Sequence, residues 1–109
     1  MSALSKRMVA RRESTFETGG ITFRIQLPTA LQAALAGSPV EAALRAIVGW
    51  SGVRQCDLLP GEPDAEAPFD ADACREWLGD RLDLLKPIMD EITRLQTARR
   101  EELEQAEKN

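Results

Sequence analysis

The sequence lacks histidine and tyrosine altogether, although it runs to 109 residues. Histidine is the usual general base near neutral pH and the commonest metal ligand, so its absence argues against most acid–base catalysis. The two cysteines, Cys56 and Cys74, form no CxxC pair, and no zinc ligand set is present. Cys74 lies at helical spacing from Trp77 and Leu78, and we interpret it as a core residue rather than a nucleophile.

Long apolar segments are lacking as well. No stretch approaches the roughly 18 apolar residues of a membrane-spanning helix. The N-terminus has no apolar signal-peptide core. We therefore expect a cytoplasmic protein with reduced thiols and no membrane partner.

The charge balance is acidic, with 14 Lys+Arg against 18 Asp+Glu and a net charge of -4. An acidic chain is repelled by phosphate backbones, so we expect no nucleic-acid partner. The exception is the N-terminus, which carries Lys6, Arg7, Arg11 and Arg12. We interpret residues 1–11 as a flexible, solvated basic segment rather than a functional basic arm.

Two motifs look like chemical sites but fail on spacing. Gly49-Trp50-Ser51-Gly52 resembles a nucleophile elbow, yet Gly52 directly follows Ser51 where that motif needs a glycine two positions after the serine. An EF-hand needs a glycine at its sixth position and a glutamate at its twelfth, which the acidic stretch over 62–72 does not supply. We predict no catalytic residue, no cofactor and no metal site.

The clearest element is a β-hairpin. Residues 21–27 alternate apolar and polar side chains, which is the two-residue period of a strand. Gly19-Gly20 just before them is a typical two-residue hairpin turn, because both positions can take positive φ. The partner strand falls at residues 12–18, with Phe16 on the same side as Phe23, and Pro28 ends the hairpin.

Capping residues mark the helices that follow. Thr29 caps a helix that Gly37 ends, and Ser38 caps a second helix that runs to about Val48 and then into the Gly-Trp-Ser-Gly turn. The buried stripe of this second helix is predicted to be Val40, Leu44, Ile47 and Val48.

A loop rich in proline, glycine and acidic residues spans 54–68 and is predicted to be mobile over 61–67. Asp70 then caps a helix to about Leu78. The last helix begins near Asp80 or Asp83, and its apolar residues follow the spacing of one helical face: Leu85, Ile88, Met89, Ile92 and Leu95.

These elements predict an α+β fold, in which an N-terminal two-stranded hairpin packs on three to four α-helices and the C-terminal helix is long. The single domain covers residues 12–95, and residues 96–109 form a charged helical extension. Tryptophan is enriched in the binding hot spots of interfaces, and an amphipathic helix that extends beyond its domain offers an apolar stripe to a partner. We therefore predict partner contacts at Trp50, Leu95, Ala98 and Leu103. Trp77 is assigned to the core.

In its layout the chain resembles the small tail assembly chaperones of long-tailed bacteriophages, over about residues 13–95. The resemblance rests on the hairpin strand at 20–25, the segment 47–53, the acidic loop, Pro68-Phe69-Asp70 and the run at 76–81. It implies a non-enzymatic protein that holds the tail tube or tape measure protein soluble until the tail polymerises. Many members also have a frameshifted form with a longer C-terminus.

The residues alone leave an alternative open. A small cytoplasmic adaptor or regulatory module, self-associating as a dimer through the last helix, has the same pattern. An enzyme is the least favoured hypothesis, because no nucleophile–base pair or metal ligand set is present. The neighbouring genes distinguish the chaperone from the adaptor, because tail tube and tape measure genes accompany the gene of a tail chaperone.

We predict that stability is independent of any bound metal ion. The sequence has no histidine, and Pro63 and Pro68 interrupt the acidic stretch. Thermal unfolding curves recorded with and without a chelator should superimpose. A rise of several degrees in Tm on adding calcium or zinc would contradict the prediction.

Overall fold

The computed structural model describes residues 1–108, so Asn109 of the predicted extension lies outside the described residues. The fold is a mixed α+β arrangement with an N-terminal hairpin and a long C-terminal helix, as predicted. Its elements, in chain order, are α1 (Ala3–Ala10), β1 (Glu13–Thr18), β2 (Ile21–Gln26), α2 (Ala30–Ala36), α3 (Pro39–Ala46), β3 (Ile47–Ser51), α4 (Gln55–Leu58), α5 (Ala71–Gly79) and α6 (Leu82–Lys108).

The hairpin forms as predicted, with β1 and β2 antiparallel and Phe16 opposite Phe23. Gly19 and Gly20 have φ values of 60° and 78°, so both positions need the freedom of glycine. The turn also abuts α6, because a Cβ atom on Gly19 would lie 2.6 Å from Cδ2 of Leu84. A side chain at Gly19 would therefore disturb both the turn and its packing.

The predicted continuation of α3 to Val48 is wrong. The helix ends at Ala46, and Ile47–Ser51 forms a third strand that pairs antiparallel with β2 in the order β1-β2-β3. β-branched Ile47 and Val48, followed by a glycine and a tryptophan, fit a strand better than a helix. The free edge of β2 supplies backbone partners that a sequence pattern does not reveal.

The buried face of α3 also differs from the predicted stripe. Ala42, Ala43 and Ala46 are the buried residues of this helix. Val40 is 45% exposed, and Leu44 is only partly buried. The alanines face inward because α3 packs closely against α6 and leaves little room for larger side chains.

The core lies between one face of the sheet and the helices α5 and α6. Phe23 and Ile25 are fully buried at the centre of β2, while the opposite face of that strand exposes Arg24. The cluster is completed by side chains from the helices and the segment after β3, among them Val53, Cys74, Leu78, Leu84, Leu85, Ile88 and Ile92. Nothing after Ile92 on α6 is fully buried.

The N-terminal segment, predicted to be flexible over residues 1–11, contains helix α1, which the sequence analysis did not anticipate. The Ser2 side chain accepts a hydrogen bond from the Ser5 amide at 3.1 Å and caps the helix. The end of the helix is attached to β2, because the Gln26 side chain donates to the carbonyl oxygen of Val9 at 2.9 Å. The segment has no fully buried residue.

The acidic loop is tied back onto β3 and α4. The Arg54 guanidinium pairs with Asp57 at 3.0 Å and with Asp64 at 3.1 Å. The Ala67 amide donates to the Val53 carbonyl at 2.8 Å, and Ala67 itself is buried. The loop that was predicted to be mobile thus has backbone and ion-pair attachments at both ends.

An ion-pair network joins α3 to α5. The Glu41 carboxylate accepts hydrogen bonds from the Arg75 guanidinium at 2.7 and 2.8 Å and from Arg45 at 3.0 Å. These bonds, those of Arg75 first, lower the pKa of Glu41 from 4.5 to about 2. The folded protein therefore stabilises the ionised carboxylate relative to the unfolded chain.

We predict that Phe23→Ala lowers the free energy of unfolding by about 3–5 kcal/mol, because the ring is fully buried and leaves a cavity. This loss is a large share of the total stability of a domain of this size, which is roughly 5–15 kcal/mol. Urea unfolding measures the loss. Thr15→Ala on the exposed face of β1 is the control and should cost less than about 1 kcal/mol. Equal stabilities of the Phe23 and Thr15 variants would contradict the placement of Phe23.

We predict that Glu41→Gln destabilises the fold above pH 4.5 and does so less as the pH falls. Since the pKa of Glu41 is depressed to about 2, its contribution is complete above 4.5 and disappears as the pH drops towards 2. The pair is partly exposed, so we expect Tm to fall by only about 1–2 °C at neutral pH.

Glu17→Gln is the control for the change in net charge, because Glu17 is exposed on β1 and forms no ion pair within residues 1–108. Thermal melts across the acidic range compare each variant with the parent. If the difference in Tm between the Glu41 variant and the parent stayed constant with pH, the proposed role of the ion pair would be excluded.

Candidate protein-binding surface

Within residues 1–108, no three Cys, Asp or Glu side chains gather into a group that would hold a metal ion. Burial raises the pKa of the Cys74 thiol to about 11, which keeps it protonated and poorly nucleophilic. No helix in this part of the chain has the length and apolar character needed to cross a membrane.

Unburied apolar side chains are the main feature of the surface. They include Leu4 and Met8 on α1, Leu31 and Leu35 on α2 and Leu103 near the end of α6, which are 53–71% exposed, while Met1, Val40, Leu59 and Leu82 are exposed elsewhere. Single exposed apolar residues are ordinary, whereas Met8 and Leu103 line one groove together. These exposed apolar side chains are therefore a candidate contact surface for another molecule.

Helix α2 is the least buried apolar element. Its sequence, ALQAALA, has no charged residue, and none of its residues is buried. The helix is well defined by its ends: Thr29 and Gln32 form a capping box, and Gly37 ends it with a φ of 87°. A helix with apolar residues on every side is normally covered on every side, so α2 lacks part of its packing.

A groove separates α2 from α6, and we call it the α2–α6 groove. Pro28 and Ala30 form one wall, and Gln96, Arg100 and Leu103 form the other, around a volume of about 410 Å³. Arg99 also lines it. The groove thus combines the apolar side chains of Pro28, Ala30 and Leu103 with the side chains of two arginines.

A second groove lies between α1 and α6, with a volume of about 270 Å³. Met8 faces Leu103 and Ala106 across it. Arg11 spans the two helices through a hydrogen-bonded ion pair of 2.7 Å with Glu102. Both partners of this pair are more than 60% exposed, so it orients α1 while adding little stability.

The predicted binding residues on α6 face two different places. Leu95 is partly buried against the core, and Leu95 and Ala98 line a small pocket of about 160 Å³ beside Leu27 and the start of β1. Leu103 instead lines both of the larger grooves. The structure therefore brings Leu103, but not Leu95 or Ala98, next to the exposed apolar helices.

Trp50 lies in β3, not at the end of a helix as predicted. Its indole N–H donates to the Ala67 carbonyl at 2.8 Å, and its ring packs edge-on against Phe69 at 5.1 Å and Trp77 at 6.0 Å. Trp50 therefore fastens the acidic loop to the sheet. Trp77 is partly buried against the core, with the Arg81 guanidinium 5.6 Å from its ring. Binding of a partner by Trp50 stays a prediction.

The sequence analysis missed the exposed apolar residues of α1 and α2. Leu4 and Met8 have the four-residue spacing of one helical face, and the uncharged run 30–36 lies between two caps. Both signals were present in the sequence. Their exposure, however, follows from where α6 passes, and the pattern does not give that position.

A scan of protein-family models, a search of curated proteins and a search of solved structures each found no match to this chain.

Proposed function

We propose that this chain is a non-enzymatic tail assembly chaperone of a bacteriophage or prophage, which binds the tail tube or tape measure protein in the host cytoplasm. The single observation that supports a binding role is the group of unburied apolar residues on α1, α2 and the end of α6. The layout of hairpin, acidic loop and long last helix supports the more specific assignment to tail assembly.

The arrangement suits temporary protection of an assembling protein. A chaperone of this kind must offer apolar contact area and later release its client. The exposed surface belongs to two short helices without buried residues and to a helix end beyond the core. Such elements can adjust to a client at small cost to the core, because their own packing contributes little to stability.

The alternative is a cytoplasmic adaptor or regulatory module that forms a dimer. The 27-residue helix α6 favours it, because its second half extends beyond the buried core and can pair with a second copy. The gene neighbourhood distinguishes the two functions. Tail tube and tape measure genes beside this gene favour the chaperone, and their absence favours the adaptor.

We predict that deleting residues 97–109 abolishes binding to the tail protein but changes Tm by only a few degrees. The deletion removes Leu103 from both grooves and Ala106 from the groove beside α1, whereas the last buried residue of α6 is Ile92. Co-expression with the neighbouring tail tube and tape measure proteins, followed by co-purification, measures binding.

Glu62→Ala, in the exposed acidic loop, is the matched control and should bind like the parent. Collapse of the truncated domain would assign the segment to folding. Unchanged co-purification of the tail protein with the truncated chain would show that the segment is not its binding site.

A further inference from the structure

We propose that the α2–α6 groove binds an acidic amphipathic helix of the partner protein. In this arrangement apolar side chains of the partner lie on Pro28, Ala30 and Leu103, and its carboxylates pair with Arg99 and Arg100. The inference rests on the proposed protein-binding function and adds the chemistry of the segment that is bound.

The charge of the groove carries the inference. Within residues 1–108, neither Arg99 nor Arg100 forms an ion pair, although Glu104 lies one helical turn beyond Arg100. Most other arginines of the described chain have a carboxylate partner, namely Arg11, Arg45, Arg54, Arg75, Arg81 and Arg94. Two guanidinium groups beside apolar walls are therefore suited to carboxylates supplied by another molecule.

The surroundings reinforce this preference although the whole chain is acidic. The segment that contains α1 faces the same part of α6. This segment carries four basic residues, Lys6, Arg7, Arg11 and Arg12. No acidic residue precedes Glu13. Glu101, Glu102, Glu104 and Glu107 lie on the same stretch of α6, but none of them lines the α2–α6 groove, whose charged lining residues among those described are Arg99 and Arg100. The charge within the groove therefore favours an acidic segment over a basic one.

The shape of the groove favours a helix over an extended strand. Its two walls are the start of α2 and the side of α6, and the sheet edge does not line it. A helix laid between them would contact the walls with residues spaced three and four positions apart. Flanking glutamates of such a helix would reach Arg99 and Arg100.

A second copy of the chain suits the groove less well. A two-fold contact centred on Leu103 would place Arg99 and Arg100 of both copies in one interface. The described residues that line the groove include no carboxylate, so a second copy presenting this same groove would give Arg99 and Arg100 no partner. Self-association is therefore an outcome that the experiment must detect, not the occupant we propose.

The test uses two fluorescein-labelled helical peptides of about 15 residues, identical in their leucine face and differing only in flanking glutamates or lysines. Fluorescence anisotropy with the full chain should show binding of the acidic peptide, weakened by added salt, and at least tenfold weaker binding of the basic one, an effect of about 1.4 kcal/mol.

The double substitution Arg99→Glu and Arg100→Glu reverses the charge of the groove. It should weaken binding of the acidic peptide at least about tenfold and strengthen binding of the basic peptide. The control reverses Arg24 and Lys86 to glutamate, which changes net charge equally at exposed positions outside the groove. Leu103→Ala should weaken binding of both peptides, because they share the same leucine face. Circular dichroism melts confirm that each variant folds.

Equal affinity for the two peptides, or an Arg99/Arg100 variant that behaves like its control, would overturn the inference. Sedimentation that shows a dimer which the acidic peptide fails to dissociate would assign the groove to self-association instead. A failure of the proposed chaperone function would give a different set of results from a failure of this inference. In that case no tail protein co-purifies with the chain, whereas the acidic peptide still binds and still depends on Arg99 and Arg100.

Discussion

The packing of the inner face of the sheet on the first half of α6 is the contact on which the rest of the structure depends. Phe23 and Ile25 of the central strand lie in one apolar cluster with Leu84 and Ile88 of the helix. The hairpin turn touches the same helix, where Gly19 leaves room for Leu84. A two-stranded hairpin is marginal alone, so this contact gives the sheet a reason to form.

The same contact explains why so much apolar surface remains uncovered. The core holds α6 only as far as Ile92, yet the helix continues to Lys108 and, at 27 residues, is roughly 40 Å long. Its second half lies beside α1, the start of α2 and the start of β1. The molecule is accordingly elongated, 57 Å along its longest axis against 29 Å and 24 Å across. Its grooves lie where the core has ended.

Short-range features of the fold were predictable because their causes lie within a few residues of each other. The turn at Gly19-Gly20, the capping of α2 by Thr29 and the capping of α5 by Asp70 all formed as predicted. β3 was missed because its strand conformation depends on pairing with β2, more than 20 residues earlier in the chain. Helix α1 was not predicted because its long-range backbone attachment, from the Gln26 side chain to the Val9 carbonyl, joins residues far apart in the chain.

For the candidate site, the sequence by itself determined the chemistry that is present. It excluded histidine chemistry, placed Leu103 on a charged helical extension and supplied Arg99 and Arg100 beside it. Only the tertiary structure decided which groups face each other. It set Trp50 against Ala67, Leu95 against the core, and Leu103 between α1 and α2. The physical reason is that side-chain type is a local property, whereas exposure depends on where distant elements pack.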